Sequence, residues 1–205
     1  MSRRSYGQYC GLARALDVVG ERWSLLIVRE LLVGPARYSE LQAGLPGIAT
    51  NLLAERLRKL EEVGVVQRRL DTGTKGVTYA LTPWGTELRD AVDALVNWSI
   101  PLMVPGPRGD SFRTHWLEVA LQALLHGKRT EVPTTVGVEV DGTIVTVHVD
   151  QTGVRVALNG ERQPETVLRA EPPVVLGLAS GMLTVEQAIS AGDLRAVGPE
   201  APIGR

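Results

Sequence analysis

Between Ala49 and Val63 the apolar positions Leu53, Leu57 and Leu60 recur at three- and four-residue steps. At about 100° per residue that gathers them on one narrow face of a helix, the face that must meet a core. Asn51, Glu55, Arg58 and Glu62 fall on the opposite face, flanked by Ala54 and Lys59. Asn and Arg are side chains that read adenine and guanine edges in a major groove. The same face also fits a solvated surface with Glu55–Lys59 and Glu55–Arg58 pairs. The neighbours favour the first reading. Ser39 and Gln42 have capping-box spacing at the start of a shorter helix, which Leu45-Pro46-Gly47 ends in a turn. Gly64 suits the left-handed position after the second helix. Val65–Leu70 and Val77–Leu81 then follow as two strands around a Gly-containing tip, residues 71–76. Helix, tight turn, helix and basic hairpin is the order of a winged helix-turn-helix, a DNA-binding module.

Two helices precede this module. Cys10 to about Val19 places Leu12, Ala15, Leu16 and Val19 on an inner face, with Gly20 as its stop. Glu21 to Leu32 carries Trp23, Leu26, Ile27 and Leu31, with Glu30 expected in an ion pair, and ends at Gly34-Pro35. After the hairpin, Thr82-Pro83 is an N-cap followed by proline at the first helical position. The pattern predicts one long helix from there to Leu102, striped by Leu88, Ala91 with Val92, Leu95, Trp98 and Leu102. An apolar stripe left over beside a complete winged helix fits a subunit contact, or packing on its own domain.

The composition shifts at Pro105-Gly106-Pro107-Arg108-Gly109-Asp110, which sets expected domains of 1–105 and 110–205. Beyond it the pattern predicts a helix from Phe112 to Leu125, strands at Val136–Val140 and Thr143–Val149 joined by Asp141-Gly142, and strands at Gly153–Leu158 and Glu165–Ala170. Thr184 and Gln187 form another capping box, opening a helix that ends at Gly192. Leu194–Val197 is a fifth strand. The expected class is a mainly α winged helix-turn-helix followed by an α+β domain, an antiparallel sheet with helices.

The chain has 205 residues, 44% of them hydrophobic, and a formal net charge of −1. That balance argues against a nucleic-acid partner until it is divided: residues 1–105 hold 13 Lys and Arg against 11 Asp and Glu, residues 106–205 hold 9 against 12. A weakly basic half binds phosphate if its charges cluster, as Arg68, Arg69 and Lys75 do along the hairpin. The single cysteine excludes an internal disulfide framework. The basic N-terminus lacks a signal-peptide core, and no apolar run approaches the ~20 residues of a membrane span, so the expected place is the cytoplasm. His115, His126 and His148 share no metal-ligand spacing. Neither a nucleophile elbow nor a phosphate-cradling loop is evident, so no cofactor and no enzyme activity are expected.

Cys10, Ala15–Leu32, Gly34-Pro35, Tyr38-Ser39-Glu40-Leu41, Leu45-Pro46-Gly47-Ile48, Leu53, Glu55-Arg56-Leu57, Leu60-Glu61, Gly64-Val65-Val66 and Tyr79–Gly85 together resemble the HxlR-type transcription regulators. The resemblance spans roughly residues 8–103. It implies a homodimer joined through N- and C-terminal helices, bound to a pseudo-palindromic operator, with repression as the expected outcome in a family that also holds activators. Some members sense oxidants or electrophiles through a cysteine at the position of Cys10. Gly11 stands here where the family usually has proline. The other reading of Cys10 is a small buried residue at the dimer seam. More loosely, Gly142, Asn159-Gly160, Leu176–Gly181, Ala188-Ile189 and Gly192–Gly198 resemble the sterol carrier protein type fold. That implies a sheet with an apolar tunnel for a hydrophobic small molecule, and a closed packing module is the alternative.

The residues expected at DNA are Arg37, Ser39, Thr50, Asn51, Ala54, Glu55, Arg58, Lys59, Arg69 and Lys75. Those expected at a dimer contact are Leu12, Leu88, Ala91, Leu95, Trp98 and Leu102, and Cys10 is the candidate sensor. A soluble carrier of hydrophobic molecules is the rival reading. It has to explain why the helix-turn-helix and basic wing persist intact.

Overall fold

The computed structural model describes residues 5–71, 76–103, 105–158, 160, 164 and 166–198. The chain divides into two compact units, the first ending at Val92 and the second beginning at Asp93.

In the first unit, α1 (Gly11–Val19) starts at Cys10 and stops at Gly20, which donates its N–H back to Leu16. Its inward residues are Ala13 and Val19, whereas Leu12, Ala15 and Leu16 are exposed. The expected inner face is corrected here: three of its four members point out, because the first unit's own core reaches α1 along a different line. The next helix, α2 (Ser24–Val33), begins three residues later than expected. Trp23 ahead of it takes a left-handed φ of 81°, a conformation that ordinary side chains adopt only when their surroundings hold them there. Glu30 is buried and paired with Arg29 at 2.6 Å, as the ion-pair expectation had it.

A two-residue strand, β1 (Ala36–Arg37), was missed by the pattern and leads into α3 (Tyr38–Gly44). The cap of α3 lies two residues upstream of the one expected: the Arg37 N–H donates to the Glu40 carboxylate at 2.6 Å. Gln42 instead donates to the Thr50 hydroxyl at 2.8 Å. After the Pro46-Gly47 turn comes α4 (Thr50–Glu62), then β2 (Val66–Asp71) and β3 (Gly76–Leu81). The sheet order is β1-β3-β2, all antiparallel, with Arg69 opposite Thr78. Ile27, Leu41, Leu45, Leu53, Leu57 and Leu60 are among the most deeply buried side chains, so the leucine stripe of α4 is the seam of this core.

The expected long helix is two. A single turn, α5 (Pro83–Thr86), is capped by the Thr82 hydroxyl, which accepts from Gly85 N–H at 3.0 Å. Glu87 interrupts it, and α6 (Leu88–Met103) follows with Pro101 inside its last turn. The break suits the packing of α5 on the end of β2: Thr82 N–H donates to Val65 O at 3.0 Å and Thr82 Oγ1 donates to Gly64 O at 2.6 Å.

The second unit contains α7 (Trp116–Leu124), β4 (Thr134–Val140), β5 (Thr143–Asp150), β6 (Gly153–Leu158), β7 (Thr166–Ala170), α8 (Pro172–Ala179), α9 (Val185–Ala191) and β8 (Leu194–Val197). The α7 helix is shorter than expected. The α8 helix, opened by paired prolines in its first turn, was not anticipated. Asp141 and Gly142 both have positive φ, 49° and 73°, the two-residue hairpin that the sequence indicated. Strand order is β6-β5-β4-β7-β8. Here the all-antiparallel expectation is corrected: β7 runs parallel to β4, Val138 beside Leu168, so the sheet is mixed. Leu117 and Leu121 of α7 and Val175 of α8 pack against Val138, Val140, Val145, Val147 and Val154.

Two side chains of α7 also serve the backbone of the outermost strand. Gln122 donates to Val154 O at 2.9 Å and accepts from Val156 N–H at 3.2 Å, and the Glu118 carboxylate accepts from Leu158 N–H at 3.2 Å. On the sheet's other face His148 lies 2.8 Å from Thr135 Oγ1 and 3.3 Å from Asp150, which also takes Arg155 at 2.5 Å. Hydrogen bonds from the Thr152 hydroxyl and N–H, with the Arg155 guanidinium, hold the Asp150 carboxyl far below the usual carboxylate range.

Candidate nucleic-acid interface

The leucines of α4 face inward and its other side faces solvent: Thr50, Asn51, Ala54 and Arg58 are exposed, with Glu55 and Lys59 partly so. The helix is held at a fixed angle to α3 at its first turn, where Tyr38 Oη donates to Thr50 O at 2.6 Å beside the Gln42–Thr50 bond. Ser39 is exposed and Arg37 half-buried at the start of α3, next to that turn. A methyl on Gly44 would overlap the buried Glu30 carboxylate, so glycine there lets α3 and α2 approach closely. Among the expected DNA residues, α3 and α4 therefore bring Arg37, Ser39, Thr50, Asn51, Ala54, Glu55, Arg58 and Lys59 together. On the wing Arg69 is exposed, and Lys75 lies outside the described residues.

Charge on this side is arranged in pairs. Arg58 pairs with Glu62 at 2.9 Å, where pairing with Glu55 was expected. Lys59 sits 3.1 Å from Glu55, as expected, and 3.0 Å from Glu21 at the α1–α2 joint. Arg56 reaches the same Glu21 at 2.5 Å, reaches Glu55 at 3.2 Å, and donates to Arg22 O. The hydrogen bond that Lys59 donates to Glu21, then the one it donates to Glu55, raises the Lys59 ammonium above its ordinary range, and Lys59 in turn lowers Glu55. On β2 Arg68 pairs with Glu61 at 2.8 Å and lies over the Tyr79 ring. Glu21, Arg56 and Glu61 were missed as members of this group. Their only signal in the sequence was charge, which does not say who faces whom.

The expected dimer residues are mostly uncovered. Leu12, Ala91, Leu95, Trp98 and Leu102 are exposed, Trp98 at 73%, and Leu88 is half-buried; of the stripe on α6 only Val92 is inside. Next to α1 lies a cavity of about 660 Å³ whose lining includes Gly11, Ala15, Val19, Val63, Trp84 and Leu88. Cys10 is exposed at the start of α1. No helix among the described residues is long and apolar enough to cross a membrane.

A sequence model described as HxlR-like helix-turn-helix matches residues 18–104. The chain is 37% identical over 93 residues to the uncharacterized HTH-type transcriptional regulator YvaP of Bacillus subtilis, covering 45% of this chain and 86% of that protein. It is 36% identical over 94 residues to the HTH-type transcriptional regulator YodB of the same organism, covering 45% and 83%. The uncharacterized HTH-type transcriptional regulator Rv3095 of Mycobacterium tuberculosis is 39% identical over 110 residues, covering 53% and 67%. Among solved structures, the reduced form of YodB covers 48% of this chain and 99% of its own at 34% identity, with a TM-score of 0.42.

Proposed function

Because the chain belongs to the HxlR-like helix-turn-helix family, we propose that it is a DNA-binding transcriptional regulator that acts in the cytoplasm as a homodimeric repressor on a pseudo-palindromic operator. The observation that carries this is the two-sidedness of α4: Leu53, Leu57 and Leu60 fully inside, Asn51 and Arg58 outside. Asn51 and Arg58 are assigned to base edges, Thr50, Ser39 and Arg37 to the flanking backbone, and Arg69 with Lys75 to phosphates beyond the hairpin. Residues 1–105 form the DNA-binding and dimerising domain in this reading. Its dimer contact is the exposed stripe of Leu12, Leu88, Ala91, Leu95, Trp98 and Leu102, which sets two reading helices about one helical turn apart.

Residues 110–205 are assigned as a receiving domain of sterol-carrier type, taking a hydrophobic small molecule and altering the dimer's hold on DNA. A second reading, thiol sensing, draws on the exposure of Cys10 at the start of α1, since a helix start is a setting that favours a thiolate. A gel shift of the purified chain against the DNA upstream of its own gene tests the main reading. A discrete, competable complex is the expected result, and no retardation at ~50 mM salt would overturn it. Mass spectrometry of an organic extract of the same preparation tests the ligand assignment.

A further inference from the structure

All three cations of α4, and one on the adjoining strand, are held by carboxylates of this chain: Arg56 by Glu21 and Glu55, Arg58 by Glu62, Lys59 by Glu21 and Glu55, Arg68 by Glu61. Two of these carboxylates are placed unlike ordinary neighbours along a helix. Glu21 comes from the α1–α2 joint, 38 residues before Lys59, and Glu61 reaches from α4 to the wing. On the side read as facing DNA, the cations of α4 and Arg68 are thus answered from within, while Arg69 stands exposed on the wing. Resting on the reading of that side as the DNA interface, we infer that Glu21 and Glu61 determine specificity by holding Lys59 and Arg68 back from phosphate.

The physics follows from competition. A phosphate and a carboxylate seek the same ammonium or guanidinium, and contact with phosphate is driven by release of counterions on any duplex, whatever its sequence. A cation already paired gives less of that indiscriminate attraction. Pairs as exposed as these are weak, with Lys59 43% and Glu21 40% exposed, Arg68 54% and Glu61 32%. They break where base contacts seat the helix firmly and persist where they do not. The device lowers affinity for random DNA more than for the operator, and it reconciles a nearly neutral first half with a DNA partner.

The test compares the full-length wild type with Glu21→Gln, Glu61→Gln and the double variant. Each is titrated by fluorescence anisotropy against the upstream fragment and against a scrambled duplex of equal length, from 50 to 200 mM KCl. Each freed cation adds a phosphate contact, which multiplies the affinity lost across that fourfold salt range by about 3.5. Glu61→Gln is expected to show this on the scrambled duplex, Glu21→Gln a smaller rise because Glu55 still pairs with Lys59, the double variant the most, and the ratio of operator to scrambled affinity to shrink. Glu87→Gln removes a charge from the same unit that pairs with no cation among the described residues. An equal change in that variant would show that net charge alone is at work and would overturn the inference. So would unchanged salt slopes in the Glu21 and Glu61 variants, given a wild type that binds. Wild-type protein that binds neither duplex at 50 mM removes the DNA reading first, and this inference with it.

Discussion

Replacing Gly85 by alanine sets two effects of opposite sign against each other. Gly85 is helical, inside α5, and a helical glycine changed to alanine ordinarily gains about 1 kcal/mol. Here the new methyl would overlap the Val65 carbonyl oxygen and lie 3.0 Å from its carbon and 3.3 Å from Leu81 Cδ2. The oxygen is backbone, and it is already the acceptor for Thr82 N–H, so it has no easy way out. Relief requires α5 to withdraw on the order of 1 Å from ordinary contact distance. That strains three bonds at once: Thr82 N–H to Val65 O, Thr82 Oγ1 to Gly64 O, and the cap from Gly85 N–H to Thr82 Oγ1. At about 1 kcal/mol each, the loss exceeds the helical gain and leaves a net destabilisation of about 2 kcal/mol. For a cooperative unit of this size each kcal/mol moves the midpoint by roughly 4–8 °C, so a fall of roughly 8–16 °C is expected for the first unit. Differential scanning calorimetry measures it. A midpoint within 3 °C of wild type (about the error of such a comparison), or a rise, would refute the reasoning, because propensity would then have outweighed the clash.

The other predictions concern binding and assembly. Asn51→Ala and Arg58→Ala should each weaken operator binding by ~1–3 kcal/mol with relaxed base preference and near-constant melting temperature, and unaltered footprints in both would mean that the reading face is misassigned. Arg69→Ala should weaken binding on every sequence and flatten the salt slope by about 0.9 per lost contact, a slope identical to wild type being the contrary result. Trp98→Ala should shift the protein toward monomer in sedimentation velocity at micromolar concentration and abolish binding to a two-half-site operator, since one buried tryptophan can dominate an interface. A wild-type chain that already sediments as a 22.1 kDa monomer would remove the dimer.

Local repetition explains what could be read in advance. The stripe of Leu53, Leu57 and Leu60 was legible because periodicity and burial coincide on α4, and the Asp141-Gly142 hairpin and the Thr184 cap because each is fixed by two or three adjacent residues. What escaped depends on distant partners. Periodicity announces that Leu12 and Leu16 share an apolar face, and is silent on whether this chain covers it. The parallel pairing of β7 with β4 joins strands with two others between them in sequence, and no local pattern encodes it. Glu40 displaced the expected cap because a carboxylate three residues after Arg37 accepts its N–H, a competition between neighbouring candidates that spacing alone leaves open. In the candidate interface, residue types on α4 were legible, whereas the role of Glu21 depended on where the α1–α2 joint comes to rest.

The hydrogen bonds from Gln122 and Glu118 to the last strand of the five-stranded sheet bear on how this molecule avoids its own aggregates. A bordering strand with open backbone groups is a template for another chain. Here β6 has its Val154 carbonyl and its Val156 and Leu158 N–H groups occupied by side chains of α7. A passing strand would have to displace these three bonds to pair along the whole border. The opposite border, β8, is only four residues long and carries Arg195, and short, charged borders recruit poorly. Growth into fibrils is thus blocked at one side by occupancy and at the other by brevity, which leaves assembly to surfaces of another kind.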